Sequence, residues 1–321
     1  MATQSPDKTA STTAPQPVAI QRSPWVRVNQ EIMQGWELRR ELIGNIERHF
    51  GGKVIVYFTS FYSEAAMIHD KDAEMLENIL SAEHGGGKLL LILSSPGGIG
   101  LAAERIVHVC REYSGGDFEV VVPHMAKSAA TLICFGASRI HMSPTAELGP
   151  VDPQVKHRKR DAGRAVPISA EEYVRSYDQL MEKAVSGKAK QLEPIMQQLM
   201  WYDARYIEQL RSWQELAASI SVKLLKSGMM AKLSKVEIKK RIAPFLLQKQ
   251  TRSHGRMITM SEAMKCGLNI NKIELRSEIW NWIWELYIRA DCVVSTRCSK
   301  ILESSMSSLS APGVQDEPEE E

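Results

Sequence analysis

"VVVPHMAKSAATLICFGASRIHMSPTAELGPVDPQ", residues 120–154, is the stretch on which the fold turns. A β-branched run stops at Pro123, which brings no backbone donor to further strand pairing. Five residues later Ser128 opens an apolar segment headed by Ala129 and Ala130. In a strand-then-helix reading Ser128 stands at the junction, between charged Lys127 and residues fit for a core. Upstream, "LLLILSSPGGIG" (89–100) repeats the design, a buried-looking strand that ends in Pro96-Gly97-Gly98 before a helix.

Outward from these two stretches the alternation continues. "KVIVYFTS" (53–60) reads as a strand, and a helical segment over 64–83 stops at Gly85-Gly86-Gly87. Strand 88–94 leads to helix 99–113, strand 118–123 to helix 128–137, and strand 139–142 to a Pro-rich loop. Short apolar strands alternating with helices predict βαβ units and a mainly parallel sheet. Right-handed crossovers then gather the strand-to-helix turns at one end, where such sheets bind ligands. A helix is expected over 27–49, with Ile32, Trp36 and Ile43 on one face. Beyond residue 169 the periodicity is helical, over 169–186, 189–227, 235–249 and 274–290. The expected organisation is a disordered tail (1–24), an α/β core with its N-terminal helix (25–160), a helical region (161–302) and an acidic disordered tail (303–321).

Composition excludes several classes. At 44% hydrophobic and 24% charged the chain is an ordinary globular one, long enough to bury a core without disulfides or metals. The N-terminus lacks the apolar core of a signal peptide, and the longest apolar run is too short to span a bilayer. The five cysteines form no CxxC pair, so neither a zinc site nor a disulfide framework is indicated. These features predict a cytoplasmic protein without an integral membrane segment, metal or cofactor. The net charge of +2 hides a basic body, because the terminal "DEPEEE" carries five acidic residues. The densest basic run, "KHRKRDAGR" (156–164), has no interleaved aromatics and reads as a solvated loop rather than a nucleic-acid surface. "EIWNWIWELYI" (278–288) is apolar on both helical faces, which predicts burial against the core and against either another part of the chain or a second subunit.

The chemistry centres on Ser128. A serine at a helix start commonly caps it, but here small residues follow, and the first-turn N–H groups lack intrahelical partners. "SPGG" (95–98) would bare further N–H groups at the same edge of the sheet, one βα unit earlier. A hydroxyl between two sets of free N–H groups is what acyl transfer requires.

With "SPGG", "VPHMAKSAATL" (122–132) and "AELGPVDPQ" (146–154), the chain resembles the ClpP/crotonase superfamily. Within it the chain is similar to the serine dehydrogenase proteinase family, relatives of signal peptide peptidase A, whose further motif "SHGRMITMSEAMKCGL" (253–268) resembles. The resemblance implies stacked βαβ units of the ClpP/crotonase type, a serine endopeptidase acting on peptides or proteins, and a homo-oligomer. It also implies Ser128 as nucleophile and Gly97, Gly98 and Ala129 as oxyanion donors. ClpP-type enzymes carry a histidine about 25 residues after the serine, where this chain has Asp152 and no histidine. The base is therefore open: His254 oriented by Asp152 in the logic of a triad, or Lys183 or Lys188 as in the signal peptide peptidase A relatives. Two rival functions stay open as well, a crotonase-like acyl-CoA enzyme that needs only the oxyanion hole, and a catalytically silent binding or scaffold protein with Ser128 as an ordinary cap.

Overall fold

Apolar runs without polar alternation are what a strand buried on both faces requires, and in this chain they form the middle of one sheet. The computed structural model describes residues 35–158, 165–186, 192–246 and 255–312. Helix α1 (Glu37–Phe50) leads to β1 (Lys53–Thr59), and a 3-10 turn (Glu64–Ala66) precedes α2 (Asp70–Glu83). Then come β2 (Leu89–Ser94), α3 (Gly100–Ser114), β3 (Phe118–Val122), the short β4 (Met125–Ala126), α4 (Ala129–Gly136), β5 (Arg139–Met142) and the short β6 (Glu147–Leu148). A hairpin of β7 (Gln154–Arg158) and β8 (Ala165–Ser169) follows, with α5 (Ala170–Val185), α6 (Glu193–Leu199), α7 (Ala204–Lys226), α8 (Lys235–Arg241) and α9 (Ala243–Leu246). The chain closes with β9 (Ile258–Thr259), α10 (Met260–Lys265), β10 (Ile270–Lys272), α11 (Glu278–Thr296), β11 (Cys298–Glu303) and β12 (Ser308–Pro312).

The main sheet has seven strands in the order β10-β5-β3-β2-β1-β11-β12. The five from β10 to β1 run parallel, while β11 and β12 add antiparallel at the β1 side. Along β1, Ile55 and Tyr57 enter the core shared with α2, α3 and α4, whereas Val54, Val56 and Phe58 face α1 and α11. Each fully buried Leu, Ile or Phe of this kind stabilises the fold by about 1.5–3 kcal/mol relative to exposure. The expected α/β class with stacked βαβ units is thus present.

The second half departs from its helical reading. Strands β9 to β12 were hidden by length and by charge: β9 and β10 are two and three residues long, and β11 buries Lys300 and Glu303, which disguise it as polar chain. Residues 303–312 are accordingly the end of β11, a turn and β12 rather than acidic tail, and the chain returns to the core well beyond the boundary expected at residue 160. The start of the basic run, 156–158, lies in β7 of the β7–β8 hairpin and not in a loop, and the helix expected over 189–227 is broken, Asp203 capping α7 through the Arg205 N–H at 2.8 Å. Helix α11 is buried within this one chain: Trp280, Ile283, Leu286 and Ala290 pack on the sheet and α1. The tail expected over 1–24 and the terminal acidic residues lie outside the described residues.

Candidate active site

The two stretches singled out by sequence meet through the backbone. Ser95 and Ala126 form a parallel bridge, with Ser95 N–H donating to Met125 O at 3.2 Å and Lys127 N–H to Ser95 O at 3.0 Å. Ser128 therefore emerges directly beside Pro96-Gly97-Gly98. Its backbone is held at φ 50° and ψ −118°, and its side chain makes no capping hydrogen bond. The ordinary cap reading is thus not the one observed. A non-glycine residue in such a conformation is strained, and such strain gathers at functional sites.

Gly97 explains the "GG" pair. It has φ 110°, and a Cβ placed on it would lie 2.6 Å from Ser128 Cβ and 3.0 Å from Ala129 N. Its N–H is already committed, donating to the buried Ser95 hydroxyl at 3.1 Å, which also lies 2.8 Å from Thr59 Oγ1. Gly97 is therefore the close-approach residue of the site and not an open donor. The donors that remain are Gly98 and Ala129, whose N–H groups make no hydrogen bond among the described residues. Gly98 is pressed against Ile68, with the hypothetical Cβ 2.2 Å from Ile68 N.

Behind the serine the loop from Ala146 onward is clamped. Buried Thr131 places its hydroxyl 2.8 Å from Ala126 O and 3.0 Å from Gly149 O, and accepts the Gly149 N–H at 3.2 Å. Asp152 follows, 3% exposed, between Val151, whose N–H donates to Phe245 O at 2.9 Å, and Pro153, whose carbonyl accepts the Ala170 N–H at 2.9 Å. Lys127 is committed elsewhere, its Nζ paired with Glu147 and donating to Leu148 O at 3.5 Å. His124 is engaged on the other side, its Nδ1 3.0 Å from the Tyr287 hydroxyl and its ring against Trp284. Burial raises the carboxyl of nearby Asp291 above its ordinary value, with His124 opposing. Cys110 and Cys134 are buried in the core and their thiols are pushed up, so neither supplies a thiolate.

The candidate bases fare differently. Among the described residues no side chain hydrogen-bonds to Ser128 Oγ. Lys183 is exposed on α5 and lines a hollow of about 550 Å³ with Tyr173, Ser176 and Trp201, none of which belongs to the serine site. His254 and Lys188 lie outside the described residues. The strand after His254 is informative nonetheless. β9 pairs antiparallel with β6, Leu148 against Ile258, and β6 pairs parallel with β4, Leu148 against Ala126. The chain entering β9 thus comes from the end of this small sheet at which β4 gives way to Ser128. The roles of the Thr59, Ser95 and Thr131 hydroxyls were missed from sequence, since a hydroxyl carries no sequence signal of its partner. Among the described residues no group of three or more His, Cys, Asp and Glu is placed to hold a metal.

The profile of a family described as ClpP-like SDH-type serine proteinase matches residues 23–296. Two uncharacterized proteins of Methanocaldococcus jannaschii are similar to the chain. One is 38% identical over 85 residues, 26% of this chain and 29% of its own length. The other is 33% identical over 144 residues, 39% of this chain and 46% of its own length. The chain thus spans less than half the length of these curated relatives. Among solved structures, a mutant of the 1510-N membrane-bound stomatin-specific protease overlaps 70% of this chain and 80% of its own, at 14% identity and a TM-score of 0.34.

Proposed function

We propose, for a chain that belongs to the ClpP-like SDH-type serine proteinase family, that it is an endopeptidase working through an acyl-enzyme on Ser128. The observation that carries this is the strained Ser128 backbone beside two uncommitted N–H groups, those of Gly98 and Ala129. Ser128 Oγ attacks the carbonyl carbon of the scissile bond, and its proton passes to the base, for which we propose His254 with Asp152 orienting it. The electron pair displaced onto the carbonyl oxygen is met by the Gly98 and Ala129 N–H groups. Collapse breaks the C–N bond, the base returns the proton to the leaving amine, and water releases the acyl group by the same steps in reverse order. An enzyme that needed only the oxyanion hole would have no use for a serine held in strain, which favours hydrolysis over acyl-CoA chemistry.

Two further parts belong to the proposal. Copies associate through the helical arm α5–α7, where Val185 (80% exposed), Met200 (83%) and Trp201 (61%) leave apolar surface bare, and light scattering tests this. The protein works in a reducing compartment, consistent with all five cysteines being free thiols. The activity is tested by following cleavage of a mixed peptide library by mass spectrometry. The expected result is cleavage by the wild type and by Lys183→Ala, and none by Ser128→Ala or His254→Ala. Cleavage that persists in Ser128→Ala overturns the proposal.

A further inference from the structure

Gly98 does not hold its own position; Ile68 holds it. The Ile68 N–H donates to Gly97 O at 2.9 Å and Ile68 O accepts the Ile99 N–H at 2.8 Å, so the backbone on both sides of Gly98 is fixed by this one residue. Ile68 in turn is gripped through its neighbours. Met67 O accepts from Lys300 Nζ at 2.6 Å, and His69 N–H donates to Asp72 Oδ2 at 2.9 Å. Lys300 and Asp72 complete the grip on each other, at 3.0 Å and 2.8 Å to the two carboxylate oxygens, and the Tyr57 hydroxyl donates to Asp72 Oδ2 at 2.7 Å. We infer that Lys300, with Asp72 and Tyr57, forms the positioning network of the oxyanion hole, an inference that rests on the acyl-enzyme reading above.

The chemistry fits that role closely. An ammonium has three donors, and Lys300 spends all three, two on Asp72 and one on Met67 O. Both charged side chains are 1% exposed. A buried ion pair is a poor source of stability, because desolvation offsets its attraction and apolar residues of similar volume serve as well. Directional bonds do what apolar packing cannot, which is to fix the rotation of the Met67 peptide and so the line of the Ile68–Gly98 pairing. The second buried pair of the same strand provides the contrast. Arg39 donates to Glu303 at 2.8 Å and 2.7 Å and ties α1 to β11, with no bond to the 67–69 segment. Lys300 is therefore a positioning residue, acting on the reacting atoms through Met67, Ile68 and Gly98.

The test compares Lys300→Met, Arg39→Met and the milder Tyr57→Phe in the full chain, with p-nitrophenyl butyrate as substrate and a fluorophosphonate as label. For Lys300→Met we expect kcat to fall about 10- to 100-fold with KM changed less than about twofold, as for a displaced oxyanion donor. Labelling slows in step, and amide exchange at Ile68 and Ile99 speeds up. Arg39→Met loses comparable thermal stability and keeps its kcat. Tyr57→Phe, which folds more safely, shows the same kcat loss at a smaller size, so the outcome does not hang on one variant. Lys300→Met and Tyr57→Phe with the kcat of Arg39→Met, in a protein whose wild type is labelled at Ser128, overturn the inference alone. A wild type that is not labelled at Ser128 removes the acyl-enzyme reading and the inference with it.

Discussion

Ser128 sits at φ 50° and ψ −118°, a conformation that costs an L-residue about 1–3 kcal/mol. Glycine has no such cost, so Ser128→Gly should stabilise the protein by about 1 kcal/mol while abolishing turnover. Urea unfolding measures the first effect, and a stability equal to or below the wild type's would show that the backbone is relaxed. Gly97→Ala is the converse. Its methyl would arrive 2.6 Å from Ser128 Cβ at a backbone angle of +110°, so the serine or the turn must shift. Turnover should fall about 100-fold, the cost of misplacing a reacting group by an ångström. At this scale the sequence was most legible where glycine and proline punctuate strands, because those residues announce their backbone geometry. It was least legible at Ser95 and Thr131, whose partners lie across the sheet edge, and at Gly97 N–H, which Ser95 takes for itself.

Elements were legible where propensity and burial agree. β1, β2, β3 and β5 and the helices between them appear within a residue or two of the expected ends, except that the helix expected over 64–83 starts only at Asp70. β11 was not, because Lys300 and Glu303 are satisfied inside the fold by residues more than two hundred positions away. β3 and β5 carry another such case. His141 and Glu119 are buried side by side, Nε2 to Oε2 at 2.6 Å, with Lys88 3.1 Å and Arg139 3.7 Å from the carboxylate. Asn271 lies 3.0 Å from His141 Nδ1, and Phe50 packs edge-on to the ring. This fixes a neutral ring, Nε2–H donating to Glu119 and Nδ1 accepting from Asn271. Burial pushes the imidazole below its ordinary value against the pull of Glu119. For Glu119 burial acts upward, and the bonds from His141 and Lys88 prevail to hold it low. A histidine held low in the folded state contributes stability fully above its unfolded value, about 6.5, and loses it as pH falls toward the folded value. The thermal midpoint should therefore drop as pH falls below about 6.5, with a further loss from Glu119 below about pH 4. His141→Gln should flatten the first of these slopes, and a profile unchanged by that substitution would contradict the assignment.

For the whole molecule the decisive feature is that the C-terminal hairpin closes the sheet beside β1. Two buried ion pairs depend on it, Arg39–Glu303 and Lys300–Asp72. Removing one partner of such a pair leaves a buried charge alone, at a cost of about 3–5 kcal/mol. Arg39→Met should lower the urea midpoint accordingly, and a chain ending at Arg297 should lose the cooperative transition in circular dichroism. The same closure carries the site, since Lys300 reaches Met67, and Ile68 reaches Gly98. The central claim, that Ser128 is an activated nucleophile, is tested most directly by fluorophosphonate labelling followed by peptide mapping of the modified residue. A single adduct is expected on Ser128, absent from Ser128→Ala and slowed in Lys300→Met. A folded wild type that takes no label, or one labelled elsewhere, would contradict it.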